Sequence, residues 1–253
     1  MKHSLPIKVS IFFLALVFCS FSLFAQEEAP SEFIRVIVEF KVKEGQTSLF
    51  EKSISSWKEC YLSNGGETAW SLFRRMDGEG DNYVLTYVKP NWAAFDDKDK
   101  AAGSCNSLAD LMLSPNVEES SRYFTKFMPE ISKQATPESP QLVAVTFFKV
   151  KTGKYRSFMD HVKTISGHIA SAEGSPRGYW YRYLGGGENA PEFFTSNTHQ
   201  SFSDLDGISS IWNTVENVLG KKEKDKLYDT FFESVDDLYN HIYQLIPEIS
   251  NLP

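Results

Sequence analysis

The chain has 253 residues, 42% of them hydrophobic and 23% charged, a balance that excludes a largely disordered, collagenous or polytopic membrane protein. Its formal charge is −7, so a phosphate backbone is a poor partner and no nucleic-acid binding is expected. At about 150 residues per domain, the length allows one domain or two.

The N-terminus carries Lys2, His3 and Lys8, then an apolar run from Ile11 to Ala25, then Gln26-Glu27-Glu28. The run is shorter than the ~20 residues of a spanning helix. A basic start, a short apolar run and a small residue before a polar stretch form the layout of a signal peptide at 1–25. Its removal leaves 24 basic against 33 acidic residues. The expected product is an exported protein, periplasmic or extracellular, near −9 and without a membrane span. Cys19 leaves with the leader. Cys60 and Cys105 remain as an even pair in an oxidising compartment, where they form either a disulfide or two buried thiols.

The elements that follow occur twice. FKVKEG at 40–45 returns as FKVKTG at 148–153, an offset of 108, and MPEIS at 128–132 returns as IPEIS at 246–250, an offset of 118. Alternating apolar residues predict a first strand at 34–42 and again at 142–150. The long helix after it carries Phe50, Ile54, Trp57 and Tyr61, which fall on Phe158, Val162, Ile165 and Ile169. That spacing gives one apolar helix face. A second strand follows at 68–76 and 178–184, then a polar Gly-rich hairpin, then a third strand at 83–89 and 192–198. The end of each copy reads as a helix starting at Asn116 or Ser234, supported by Val235, Leu238, Ile242 and Leu245 and ended by the proline at 129 or 247. Any fourth strand is then short, near 130–132 and 248–250. The ten extra residues of the second copy fit the Gly185-Gly186-Gly187 hairpin and the charged KKEKDK segment at 221–226, both expected as loops. The copies span 33–132 and 141–250, joined by a linker at 133–140.

Strand–helix–strand–strand–helix is the ferredoxin-like plan. Both faces of the first strands are apolar, as a sheet covered on two sides requires. The fold class is therefore α+β, with two tandem ferredoxin-like repeats packed sheet to sheet as an intrachain dimeric α/β barrel, a monomer acting as a pseudo-dimer.

The strand entering FKVK-x-G, the long helix after it, and the third strand leading into Trp92-Ala93-Ala94-Phe95 or Phe202-Ser203-Asp204-Leu205 resemble the dimeric α/β-barrel superfamily. Its members include antibiotic-biosynthesis-monooxygenase-like and NIPSNAP-like proteins. The resemblance implies cofactor-free oxygenase or haem-handling chemistry as alternatives to simple binding. The Asn/Trp/His set of the haem-degrading members does not map here, because neither first strand contains an asparagine and the histidines do not repeat. No cofactor is required by the sequence itself; haem enters only through the resemblance.

Site candidates come from the second and third strands. Arg74 and Arg182 align, each flanked by large residues, and could hold an anionic ligand inside a barrel. Trp180 and Tyr181 belong to an aromatic cluster that could line an apolar cavity. His199 ends a strand with Asn197 two residues before it on the same face, a place for a haem ligand or proton carrier. His161 and His168 lie two turns apart, too far to share one metal ion. His241 is expected on a solvated helix flank. No metal site and no catalytic set is flagged. Three functions stay open: a barrel binding a small apolar or anionic molecule between its sheets, an oxygenase-like or haem-handling enzyme, and a structural protein of the cell envelope.

Overall fold

The computed structural model describes residues 32–134 and 139–252; the expected leader at 1–25 and residues 135–138 of the linker lie outside them. The first unit runs β1 (Ile34–Val42), α1 (Thr47–Ser63), β2 (Ser71–Arg75), β3 (Asp81–Lys89), the short helices α2 (Lys100–Ser104) and α3 (Asn106–Leu108), and β4 (Val117–Phe127). The second runs β5 (Leu142–Val150), α4 (Tyr155–Glu173), β6 (Tyr179–Gly185), β7 (Phe193–His199), α5 (Ser203–Asp206), α6 (Ile211–Leu219), α7 (Lys221–Phe232) and β8 (Val235–Leu245).

All eight strands join one closed antiparallel barrel in the order β1-β3-β2-β8-β5-β7-β6-β4. Each unit contributes four neighbouring strands in equivalent order, and the pairs β2–β8 and β4–β6 close the seams. The duplication persists in the register. A bulge at Lys41/Val42 in the β1–β4 pair is repeated at Lys149/Val150 in the β5–β8 pair. At the seams, Ile246 N donates to Leu72 O and Met128 N donates to Trp180 O, again equivalent positions.

Two expectations are corrected. The segments after Asn116 and Ser234 are long strands, β4 and β8, and residues 129–131 and 247–249 form 3-10 turns rather than short fourth strands. The apolar set at 235, 238, 242 and 245 fits a helix, but Tyr239, His241 and Tyr243 recur at every second residue of the strand and so share one side of the sheet. Aromatic residues at that period favour a strand. The KKEKDK segment is likewise the start of α7 and not a loop. Gly220 separates it from α6; Lys221, Lys222, Glu223 and Lys226 are exposed, while Lys224 pairs with Glu216 of α6 at 3.2 Å.

Strand alternation divides the core into layers. One face of each strand fills the barrel lumen: Ile37, Phe127, Val145, Phe147, Tyr181, Phe194 and Tyr243 form one buried cluster there. Tyr181 stacks on Phe194 at 4.7 Å and Phe147 on Tyr239 at 4.9 Å. Eight strands leave an interior that side chains can fill, and here they do. The other face packs under the helices. Phe50, Ile54, Leu72 and Tyr83 form this layer in the first unit, and Phe148, Phe158, Val162, Trp180 and Phe193 in the second.

Candidate functional site

The two helix layers have diverged. In the first unit, Trp57 stacks on Tyr61 at 5.1 Å and meets Trp70 edge-on, while Leu85 and Tyr87 pack against the same group. Cys60 of α1 is bonded to Cys105 after α2, with Cα atoms 6.1 Å apart, which fastens the α2–α3 stretch over α1. In the second unit, Ile165 and Ile169 stand where Trp57 and Tyr61 stand in the first, and His168 stands at the position of Cys60. The smaller side chains leave a cleft of about 800 Å³ between the sheet and α4, α6 and α7. A cleft of this volume suits a small organic ligand.

Its walls are apolar: Val162, Ile165 and Ile169 from α4, Trp212 from α6, and Phe231 and Phe232 from α7. The residues that lengthen the second copy build α7 and so supply one wall. Ile208, Ile211 and Leu238 lie at the cleft and remain exposed. The floor is a polar row on the outer face of the sheet. Thr146 Oγ1 donates to Asn240 Oδ1 at 2.6 Å. Thr146 pairs with Thr195, and Thr195 with Trp180, so the row crosses β8, β5, β7 and β6. Thr195, Asn197 and His199 continue it along β7 at about 6.6 Å intervals.

Two of these groups are unsatisfied. Thr195 Oγ1 and His199 Nε2 are buried and meet no hydrogen-bond partner among the described residues. An unpaired buried polar atom costs about 1–3 kcal/mol, so a native fold that keeps two in one cleft calls for an explanation. Burial lowers the His199 pKa below its usual value, with Asp204 opposing and Lys133 adding to the effect, which favours the uncharged imidazole. Gly178 is fitted to this floor: its φ is +74°, and a Cβ there would come within 2.6 Å of Thr195 Oγ1 and 3.0 Å of Asn197 Oδ1.

The sequence candidates separate by face. Trp180, Asn197 and His199 line the cleft together. Tyr181 turns the opposite way and fills the lumen. Arg74 and Arg182 do not enter the barrel: both are on the outer strand faces. Arg74 Nη2 donates to Asp81 Oδ1 at 2.7 Å, and Arg182 Nη1 to the Tyr155 hydroxyl on α4 at 3.2 Å. Their alignment reflects equivalent rim positions, and the expected pair holding an anion inside the barrel is corrected. His241 is also corrected, because it sits on β8 facing the lumen, with Asp77 Oδ1 3.2 Å from its Nδ1. His161 and His168 lie on α4 outside the cleft lining. Sequence reasoning set Thr195 on the face of Asn197 and His199 and missed Thr146 and Asn240. The signal for Thr146 was a polar residue on a strand face where the first copy has Val38; Asn240 replaces the already polar Arg122 and carried none.

No protein-family model matches the sequence, and no curated protein is similar to it. Solved structures are similar in fold. A proposed monooxygenase from Fusobacterium nucleatum superposes with a TM-score of 0.51 at 16% identity, over 85% of this chain and 93% of its own. A chlorite dismutase from Candidatus Nitrospira defluvii gives 0.53 at 10% identity, over 86% and 92%. An anthrone oxidase-like protein gives 0.50 at 10% identity, over 86% and 93%. At such identities the likeness concerns architecture, not activity. This chain therefore has the fold of the dimeric α/β barrels, with two ferredoxin-like units joined in one polypeptide.

Proposed function

We propose that the second unit binds a small, mainly apolar molecule in the cleft between its sheet and its helices, with the Thr195–Asn197–His199 row orienting it. The observation that carries this reading is the pair of buried, unpartnered polar atoms on the floor of an otherwise apolar 800 Å³ cleft. A ligand with one or two polar groups would satisfy those atoms while covering the exposed Ile208, Ile211 and Leu238. The packed lumen argues against a large ligand between the two half-barrels. On the basic start and apolar run of residues 1–25, we further propose that the protein acts outside the cytoplasm.

Haem is the cofactor that the sequence resemblance suggests, and the cleft does not fit it well. Arg177 is the cation in the lining, but it is bound to Glu173 through two hydrogen bonds of 2.7 and 2.6 Å and to Ser209 O at 2.8 Å. Nothing cationic is left for propionates. No step is derived through haem.

The test is a thermal-shift screen of uncharged and weakly polar aromatic compounds, quinols included, with haem as a comparison and oxygen uptake recorded for each quinol. At ten times its dissociation constant, a ligand adds about 1.4 kcal/mol of stability, a shift of a few degrees at this size. The reading predicts such shifts for apolar aromatics, and their loss in Asn197→Leu. No shift with any compound would contradict it.

A further inference from the structure

The mouth of the barrel holds a second concavity, of about 210 Å³, beside the hairpins that follow β2 and β6. It shares no residue with the cleft under α4. Glu39 projects into it from β1, at a position where the second unit has Phe147. The carboxylate is half-buried and accepts no hydrogen bond among the described residues. Its surroundings are aromatic: Tyr123, Tyr183, Tyr239, Tyr243 and Phe147 line the same space.

The local charge is unbalanced. Arg75 lines the same space and its charge acts on Glu39, but its guanidinium is engaged by its own hairpin, where Nε donates to Asp77 O at 2.8 Å and Nη2 donates to Glu79 O. Glu119 adds a second negative charge near Glu39, and Asp77, against His241, a third. Burial raises the Glu39 pKa above the usual carboxylate range, with Arg75 opposing. A carboxylate kept in such a place without a partner is costly. Aromatic faces attract cations, most strongly where water is excluded. Among the described residues, no three His, Cys, Asp or Glu side chains come together to hold a metal ion. An ammonium group needs less: one carboxylate and ring faces.

We infer that the barrel mouth is a binding site for a small alkylammonium cation, with Glu39 as its counter-ion and the tyrosine rings as its walls. The site is asymmetric by construction: the first unit brings the charge, and the second brings most of the aromatic surface. Its occupant is independent of whatever fills the cleft.

The experiment is a titration of the full chain with tetramethylammonium, followed by amide chemical-shift changes, with tert-butanol as the neutral comparison. Expected are saturable shifts near Tyr239 and Tyr243 with the cation and none with the alcohol. Glu39→Gln should weaken binding roughly tenfold or more without lowering the thermal midpoint, since it removes a buried charge. Tyr239→Leu, which keeps the carboxylate, should weaken it as well. Equal response to tert-butanol, or unchanged affinity in both variants, would overturn the inference.

Discussion

The two units differ most at single residues that share a position. Lys89 ends β3 in the first unit, and His199 ends β7 in the second. The His199 pKa is lowered by burial, with Lys133 adding to the effect and Asp204 opposing it. The unfolded chain therefore binds a proton near pH 6.5 that the folded chain takes up only at lower pH. The stability linked to this group is complete above pH 6.5 and is lost as pH falls from there toward the folded pKa. Replacing His199 with Gln should flatten the decline of unfolding free energy between pH 7.5 and 5.5, measured in denaturant titrations. An equal slope in both proteins would contradict the assignment. Gly178→Ala should destabilise by more than about 1 kcal/mol, because a Cβ at φ +74° also meets Thr195 Oγ1; a neutral effect on the denaturant midpoint would show that the floor is looser than described. Residue type and alignment made Arg74 and Arg182 visible in the sequence, and alternation put each beside large neighbours. Which strand face looks into the barrel is fixed by the closure of all eight strands, and that is not written in either strand alone.

Elements were legible where one period dominated. The strands at 34–42 and 142–150 and the long helices after them follow from alternating and helical apolar patterns. β4 and β8 did not, because Val235, Leu238, Ile242 and Leu245 satisfy a helix while Tyr239, His241 and Tyr243 satisfy a strand. Pairing along β5 settles that competition, through contacts some 90 residues apart. The helix layers show a second kind of divergence. The Cys60–Cys105 bond closes a loop of 45 residues in the first unit alone. By chain entropy such a loop contributes about 4 kcal/mol, with about 2–4 kcal/mol typical of measured cases. Replacing both cysteines with alanine should lower stability by that order in urea unfolding, while leaving ligand shifts in the second-unit cleft intact. Loss of those shifts in a folded variant would mean that the two layers are coupled.

At the scale of the whole molecule, the barrel makes the two repeats one folding unit. Their shared lumen contains Tyr181, Phe194, Phe127 and Phe147 at a few per cent exposure each, surface that neither half can bury alone. Residues 139–252 expressed by themselves should self-associate or aggregate, and the full chain should unfold in one transition. A monomeric, cooperatively folded half in sedimentation and calorimetry would refute this. Within that common frame the first unit is filled beneath its helix by Trp57 and Tyr61, and the second is open beneath Ile165 and Ile169. The repeat was readable from the sequence, and so was the size difference at those positions. That the difference becomes a cleft depends on α6 and α7 standing away from the floor. The most direct measurement is therefore equilibrium binding of an apolar aromatic probe such as 1-naphthol to the natural chain and to Ile165→Trp/Ile169→Tyr, which gives the second unit the packing of the first. Saturable binding to the natural chain, abolished in a double variant whose thermal midpoint is equal or higher, is the predicted result. Unchanged binding in the double variant would contradict the account.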